Sequence, residues 1–125
     1  MNIPDNFQVI DHALIHHKLS LIRDKNTGSK EFRELVTQAT ILLAYEATKI
    51  LSLKDAEVQT PITTAQVKTV DVTDIVLVPV LRAGLGMVEG MLKLIPKARV
   101  GYVGMERDHE THQPVDYYFK IPNHA

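Results

Sequence analysis

The stretch Asp74–Gly90, DIVLVPVLRAGLGMVEG, constrains the fold of this chain more than any other. Ile75 to Leu81 is apolar without alternation. That is the pattern of a strand buried on both faces, hence of a parallel sheet. The run breaks at Arg82-Ala83-Gly84 and resumes from Leu85 to Ile95, stopping at Pro96, which predicts a helix ending there. Strand, polar turn and helix in this order place the turn where α/β folds bind anions, at a strand's carboxyl end and a helix N-terminus. Arg82 adds a permanent charge to the turn. Gly84 permits a left-handed backbone and close approach to a ligand, and free N–H groups of the following helix point back toward the turn. A plain strand-to-helix connection with a solvated arginine is the competing reading.

The flanking sequence supplies the rest of an α/β fold. Ala98–Met105 reads as a second strand, which completes a strand–helix–strand unit. A short helix is predicted over His12–Arg23 and a long one from Ser29, as its N-cap, to about Leu53, with apolar residues at a period of about 3.6. Phe7–Ile10 reads as a short extended piece. Lys54–Val72, rich in Thr and Val and carrying Pro61, suggests short strands, a hairpin beside the main sheet. Polar residues 106–114 followed by the apolar strand Val115–Pro122 suggest a projecting hairpin. Two parallel strands and an arm leave both sheet edges open and bury little surface. The sequence therefore reads as one partial domain, residues 1–125, cut in the middle of an α/β fold.

Composition narrows the chemistry. With 14 Lys and Arg against 15 Asp and Glu, the net charge is −1, so bulk attraction to nucleic acid or a membrane surface is not expected. No apolar run approaches the roughly 18 residues of a membrane span, and the N-terminus lacks the features of a signal peptide. The absence of cysteine excludes disulfides and thiolate metal sites and is compatible with a cytoplasmic location.

Five constellations carry candidate chemistry. The first is the Arg82-Ala83-Gly84 turn. The second is Gly84-Leu85-Gly86-Met87-Val88-Glu89-Gly90, which approaches a dinucleotide fingerprint but has one spacer too many; its apolar residues look like packing. The third is Met105-Glu106-Arg107-Asp108, at the carboxyl end of the second strand. There Arg107 could share a crevice with Arg82 and match a doubly charged diphosphate, unless Glu106 and Asp108 neutralise it locally. The fourth is the histidines: His16 and His17 diverge on a helix, and His109 and His112 would share a metal only if helical, so solvated side chains are the plainer account. The fifth is the basic patch Arg23, Lys25, Lys30 and Arg33, a solvated helix start or a contact for an anionic effector or a subunit.

Residues 12–35, HALIHHKLSLIRDKNTGSKEFREL, with Leu43–Thr48, the run Val78–Met87 (VPVLRAGLGM) and Val103-Gly104-Met105, resemble the N-terminal portion of uracil phosphoribosyltransferases in order and spacing. The resemblance implies transfer of a phosphoribosyl group from phosphoribosyl diphosphate to uracil, giving UMP and diphosphate. It implies Mg²⁺ carried on the diphosphate, GTP as an activator, a homo-oligomer and a cytoplasmic location. It makes Arg82, Ala83 and Gly84 the diphosphate loop, with Arg107 a second contact to the same substrate, and related transferases place a non-proline cis peptide in such loops, here at Leu81-Arg82. The family's acidic, Thr-Gly-containing ribose-5-phosphate loop and its uracil-binding hood have no counterpart in these residues. Glu106 stands where an aromatic is common and Ala13 where proline is usual. The expectation is that this chain keeps the diphosphate side of the site, holds no catalytic residue and does not turn over alone. The alternative is a non-catalytic relative acting as a dimerisation or interaction module.

Overall fold

The structure is a computed structural model and describes residues 4–122. Helix α1 spans Ala13–Ile22 and is capped by His12, whose Nδ1 accepts from the Leu14 amide at 3.1 Å. Helix α2 spans Ser29–Ala47. Its N-cap is Gly28 rather than Ser29; Gly28 holds an extended backbone and its carbonyl accepts the first helical bond, from Phe32, at 2.8 Å. The helix also ends earlier than its periodicity predicts. Thr48 Oγ1 donates to the Ala44 carbonyl at 2.7 Å, and the chain tightens into a 3₁₀ turn over Thr48–Ile50. A threonine hydroxyl that engages the preceding turn competes with helix continuation. Phe7–Ile10 forms no strand; the segment opens with a turn in which Phe7 N donates to Pro4 O.

Strands β1 (Lys54–Gln59) and β2 (Thr64–Thr69) form an antiparallel hairpin and a sheet of their own. Pro61 sits in its turn, where Thr60 Oγ1 accepts from the amides of Ile62 and Thr63. The run 74–81 becomes two short strands, β3 (Val76–Leu77) and β4 (Val80–Leu81). The second parallel strand is likewise divided, into β5 (Arg99–Val100) and β6 (Tyr102–Arg107). Both pairs are parallel, and the ladder runs through the breaks. The carbonyls of Ile75, Leu77 and Pro79 accept from the amides of Arg99, Gly101 and Val103 at 3.0, 2.8 and 3.2 Å. Pro79 has no amide to return, so the ladder loses a bond there. Strand β7 (Pro114–Lys120) pairs antiparallel with β6 and completes the arm. Across the sheet the order is thus β3–β4, β5–β6, β7, and helix α3 (Leu85–Leu94) makes the crossover.

The core lies mainly between the helices. Ile15 of α1, Leu35, Ala39 and Ala44 of α2, Leu77 of β3 and Ile95 after α3 are buried. Buried Thr40 is satisfied by donating to the Val36 carbonyl at 2.7 Å. Gly90 lets α3 approach α2: a Cβ there would lie 2.8 Å from the Thr37 carbonyl oxygen and 3.0 Å from Thr40 Cβ. The expectation that 75–81 is buried on both faces fails. Leu77 and Pro79 are buried, whereas Val78 and Val80 on the opposite face are 41% and 48% exposed, because no described element covers that face.

Candidate functional site

The turn after β4 is built by backbone hydrogen bonds. The Gly84 amide donates to the Val80 carbonyl at 2.8 Å and the Leu85 amide to the Arg82 carbonyl at 3.1 Å. The Leu81–Arg82 peptide is cis. Gly84 does not adopt a left-handed backbone; its φ is −67°. What requires glycine is space, since a Cβ would lie 2.7 Å from Val80 N and 2.9 Å from Val80 O. Backbone atoms in a hydrogen-bonded turn cannot step aside as a flexible side chain would. Gly84→Val is therefore expected to open the turn and lower stability by about 1–3 kcal/mol, read from the midpoint of urea unfolding. Fewer helical amides face a ligand than the sequence suggests. Those of Leu85 and Met87 are taken by the carbonyls of Arg82 and Gly84. The amide of Ala83 has no acceptor among the described residues, which leaves one unengaged N–H in the turn next to Arg82 in the chain.

Arg107 closes β6. Leu81 is in register with Gly104, so β6 runs on through Met105, Glu106 and Arg107 after β4 has turned, roughly 10 Å farther at strand rise. Arg82 and Arg107 thus share the carboxyl end of the parallel strands but not one cavity. Arg107 lines an open recess of about 370 Å³ with Met105, Glu106, His112 and Pro114. Both arginines are exposed, and neither guanidinium forms an ion pair or a hydrogen bond among the described residues. No ion pair joins Arg107 to Glu106 or Asp108 among the described residues. Asp108 is engaged elsewhere: its Oδ1 accepts from the amides of Glu110 and Thr111, each at 2.9 Å. The Thr111 amide, then that of Glu110, holds the Asp108 carboxyl below the usual carboxylate range.

This Asp108-centred turn places His112 in the recess that Arg107 lines, a grouping that sequence spacing does not reveal. His112 takes a left-handed backbone, φ 59°, with its amide bound to the Asp108 carbonyl at 2.9 Å. His109 and His112 therefore sit in a hairpin tip and not on a helix. His16 Nε2 bonds Asp11 Oδ1 at 2.7 Å. Of the basic patch, Lys30 and Arg33 line a groove of about 320 Å³ between α2 and α3, with Glu34, Gln38, Glu89 and Lys93. Arg23 and Lys25 lie exposed around the α1–α2 loop and line no part of it. The glycines of the apparent dinucleotide fingerprint divide their work: Gly84 closes the turn and Gly90 serves helix packing.

Comparison with known proteins gives this geometry a context. The family model for uracil phosphoribosyltransferase matches residues 9–125. The uracil phosphoribosyltransferase of Thermoanaerobacter sp. (strain X514) is 58% identical over 118 residues, which cover 94% of this chain and 56% of that protein. The uracil phosphoribosyltransferase of Listeria welshimeri is 53% identical over 118 residues, with 94% and 56% covered. Among solved structures, the AQ2163 protein from Aquifex aeolicus superposes with a TM-score of 0.86 at 36% identity, over 90% of this chain and 54% of that one. The chain spans about half the length of the curated relatives it matches. No helix among the described residues is long and apolar enough to cross a membrane. With a family model that matches nearly its whole length and relatives identical at more than half the aligned positions, this chain belongs to the uracil phosphoribosyltransferase family.

Proposed function

We propose that this chain supplies the diphosphate side of a site in which uracil and phosphoribosyl diphosphate give UMP and diphosphate. The observation that carries the reading is the turn at the end of β4, where Arg82 and the unengaged Ala83 amide stand together, held by the Gly84–Val80 bond. Arg107, ending the adjacent strand, provides the second cation. In this chemistry the bond between the sugar's anomeric carbon and diphosphate breaks, and its electron pair leaves with the diphosphate. Fixed positive charge on the leaving group stabilises that step. Mg²⁺ belongs to the reading as part of the substrate, bound to diphosphate oxygens. A homo-oligomer, a cytoplasmic location and activation by GTP rest on the family alone, and Arg82, Ala83, Gly84 and Arg107 are assigned to substrate rather than to proton transfer.

Binding and turnover separate in this proposal. Titration of the chain with phosphoribosyl diphosphate in the presence of Mg²⁺ is expected to show saturable binding, while a radiolabelled uracil-to-UMP assay shows no turnover by the chain alone. Turnover by the chain would overturn the second half, and absence of binding the first. A second reading, a non-catalytic interaction module, is favoured by the exposed apolar side chains of Val78 and Val80. It predicts association with another polypeptide and no binding of phosphoribosyl diphosphate.

A further inference from the structure

We infer that His112 is a further contact for the substrate's diphosphate, donating from its imidazole to the phosphate group that Arg107 holds. The inference rests on the diphosphate reading and adds a residue to it. Its first support is the recess at the end of β6, about 370 Å³, which Met105, Glu106, Arg107, His112 and Pro114 line. Arg107 and His112 are its basic side chains, against the single carboxylate of Glu106. An imidazole keeps a ring N–H to donate whether it is neutral or protonated. A phosphate oxygen, being charged, accepts more strongly than a neutral oxygen. A guanidinium and an imidazole in one recess therefore suit one anion with several acceptor oxygens.

The backbone supplies the second support. Arg107 is in register with Pro114 across the hairpin, so residues 108–113 form the tip. The tip is tied from within. The Asp108 amide donates to the Gln113 carbonyl at 2.9 Å, the His112 amide to the Asp108 carbonyl at 2.9 Å, and the Gln113 amide to Thr111 Oγ1 at 3.3 Å. The Asp108 carboxylate is committed to the amides of Glu110 and Thr111 and lines no part of the recess. His112 thus stands on a hydrogen-bonded frame. At φ 59° it lies in the left-handed region, alone among the described non-glycine residues. A side chain with a Cβ is strained there and glycine is not. Strain of this kind collects at ligand sites, and here it accompanies an imidazole in the recess of an arginine. His109, on the same tip, lines no part of that recess.

His112→Gly separates a contact from a structural role, because glycine adopts the same backbone without strain. The variant is expected to keep the parent's unfolding midpoint. It is expected to bind phosphoribosyl diphosphate, with Mg²⁺ present, about three- to tenfold more weakly by calorimetric titration. His112→Asn tolerates the left-handed region and keeps a side-chain N–H, so it is expected to recover part of the affinity, and His109→Ala to match the parent. In NMR spectra of the chain, the His112 ring signal, assigned by its loss in His112→Gly, is expected to shift on saturation with the ligand. The ring signal of His16, bonded to Asp11, is expected to stay. A His112→Gly variant that binds as tightly as the parent, or a His112 signal that does not move, overturns this inference and leaves the diphosphate reading standing. Weaker binding together with a lowered unfolding midpoint assigns His112 to the hairpin's own structure and likewise overturns it. Absence of binding by the parent chain defeats both.

Discussion

Gly90→Val is expected to lower unfolding stability by about 2–3 kcal/mol, the upper part of the range for overpacked cores. Two independent contacts act together. A Cβ at 90 would stand 2.8 Å from the Thr37 carbonyl oxygen and 3.0 Å from Thr40 Cβ, so both backbone and side chain of α2 would have to retreat. Thr40 is itself pinned, buried and bonded to the Val36 carbonyl, and its hydroxyl cannot leave that acceptor without losing a buried hydrogen bond. The added branch therefore pushes α3 off α2 as a unit. The loss is large against the few kcal/mol that hold a domain of this size. Denaturant unfolding followed by circular dichroism measures it, and Gly86→Ala is the control. A Cβ at 86 would meet only Val36 Cγ1, at 3.7 Å, so that variant is expected to unfold within about 0.5 kcal/mol of the parent.

The second large effect is on binding. Arg82→Ala and Arg107→Ala are each expected to weaken phosphoribosyl diphosphate by about 1.5–3 kcal/mol, roughly ten- to a hundredfold in Kd. Each guanidinium is exposed and bound to no other group among the described residues, so it is free to meet the ligand. Charge-assisted hydrogen bonds to phosphate oxygens are the strong ones. Replacing either by lysine keeps the charge and removes the planar fork, and is expected to recover only part of the affinity. Neither side chain supports the core, so the same variants are expected to keep the parent's unfolding midpoint. Calorimetric titration with Mg²⁺ present, paired with thermal unfolding, measures both. Unchanged affinity in both alanine variants would remove the diphosphate from this turn.

Much of this fold was legible because its signals are local. The apolar run at 75–81, Arg82-Ala83-Gly84 and the stop at Pro96 identify strand, turn and helix from neighbouring residues alone, and Pro61 marks the β1–β2 turn. Boundaries were less legible. The end of α2 depends on the hydroxyl of Thr48, and its start on the backbone of Gly28. The purpose of Gly84 was misjudged because sequence shows that a glycine is present, not whether space or a left-handed backbone demands it. His112 in the recess of Arg107 was invisible because a side-chain cap, the Asp108 carboxylate on two amides, decides how the hairpin tip folds back. The exposure of Val78 and Val80 is likewise tertiary: an apolar pattern says what a strand is suited to meet, not what is there to meet it.

The interruption between β3 and β4 has a consequence for solubility. Without it, Ile75–Leu81 would be seven consecutive apolar residues, mostly β-branched, uncharged and open along one side. Such a segment suits the stacked sheets of an aggregate, in which every amide bonds to the copy above or below. Pro79 denies that stack one amide per chain and fixes a backbone angle in the middle of the segment, while Asp74 and Arg82 set charges at its ends. The residue that weakens the native ladder by one bond thus acts as a gatekeeper against fibrous self-assembly.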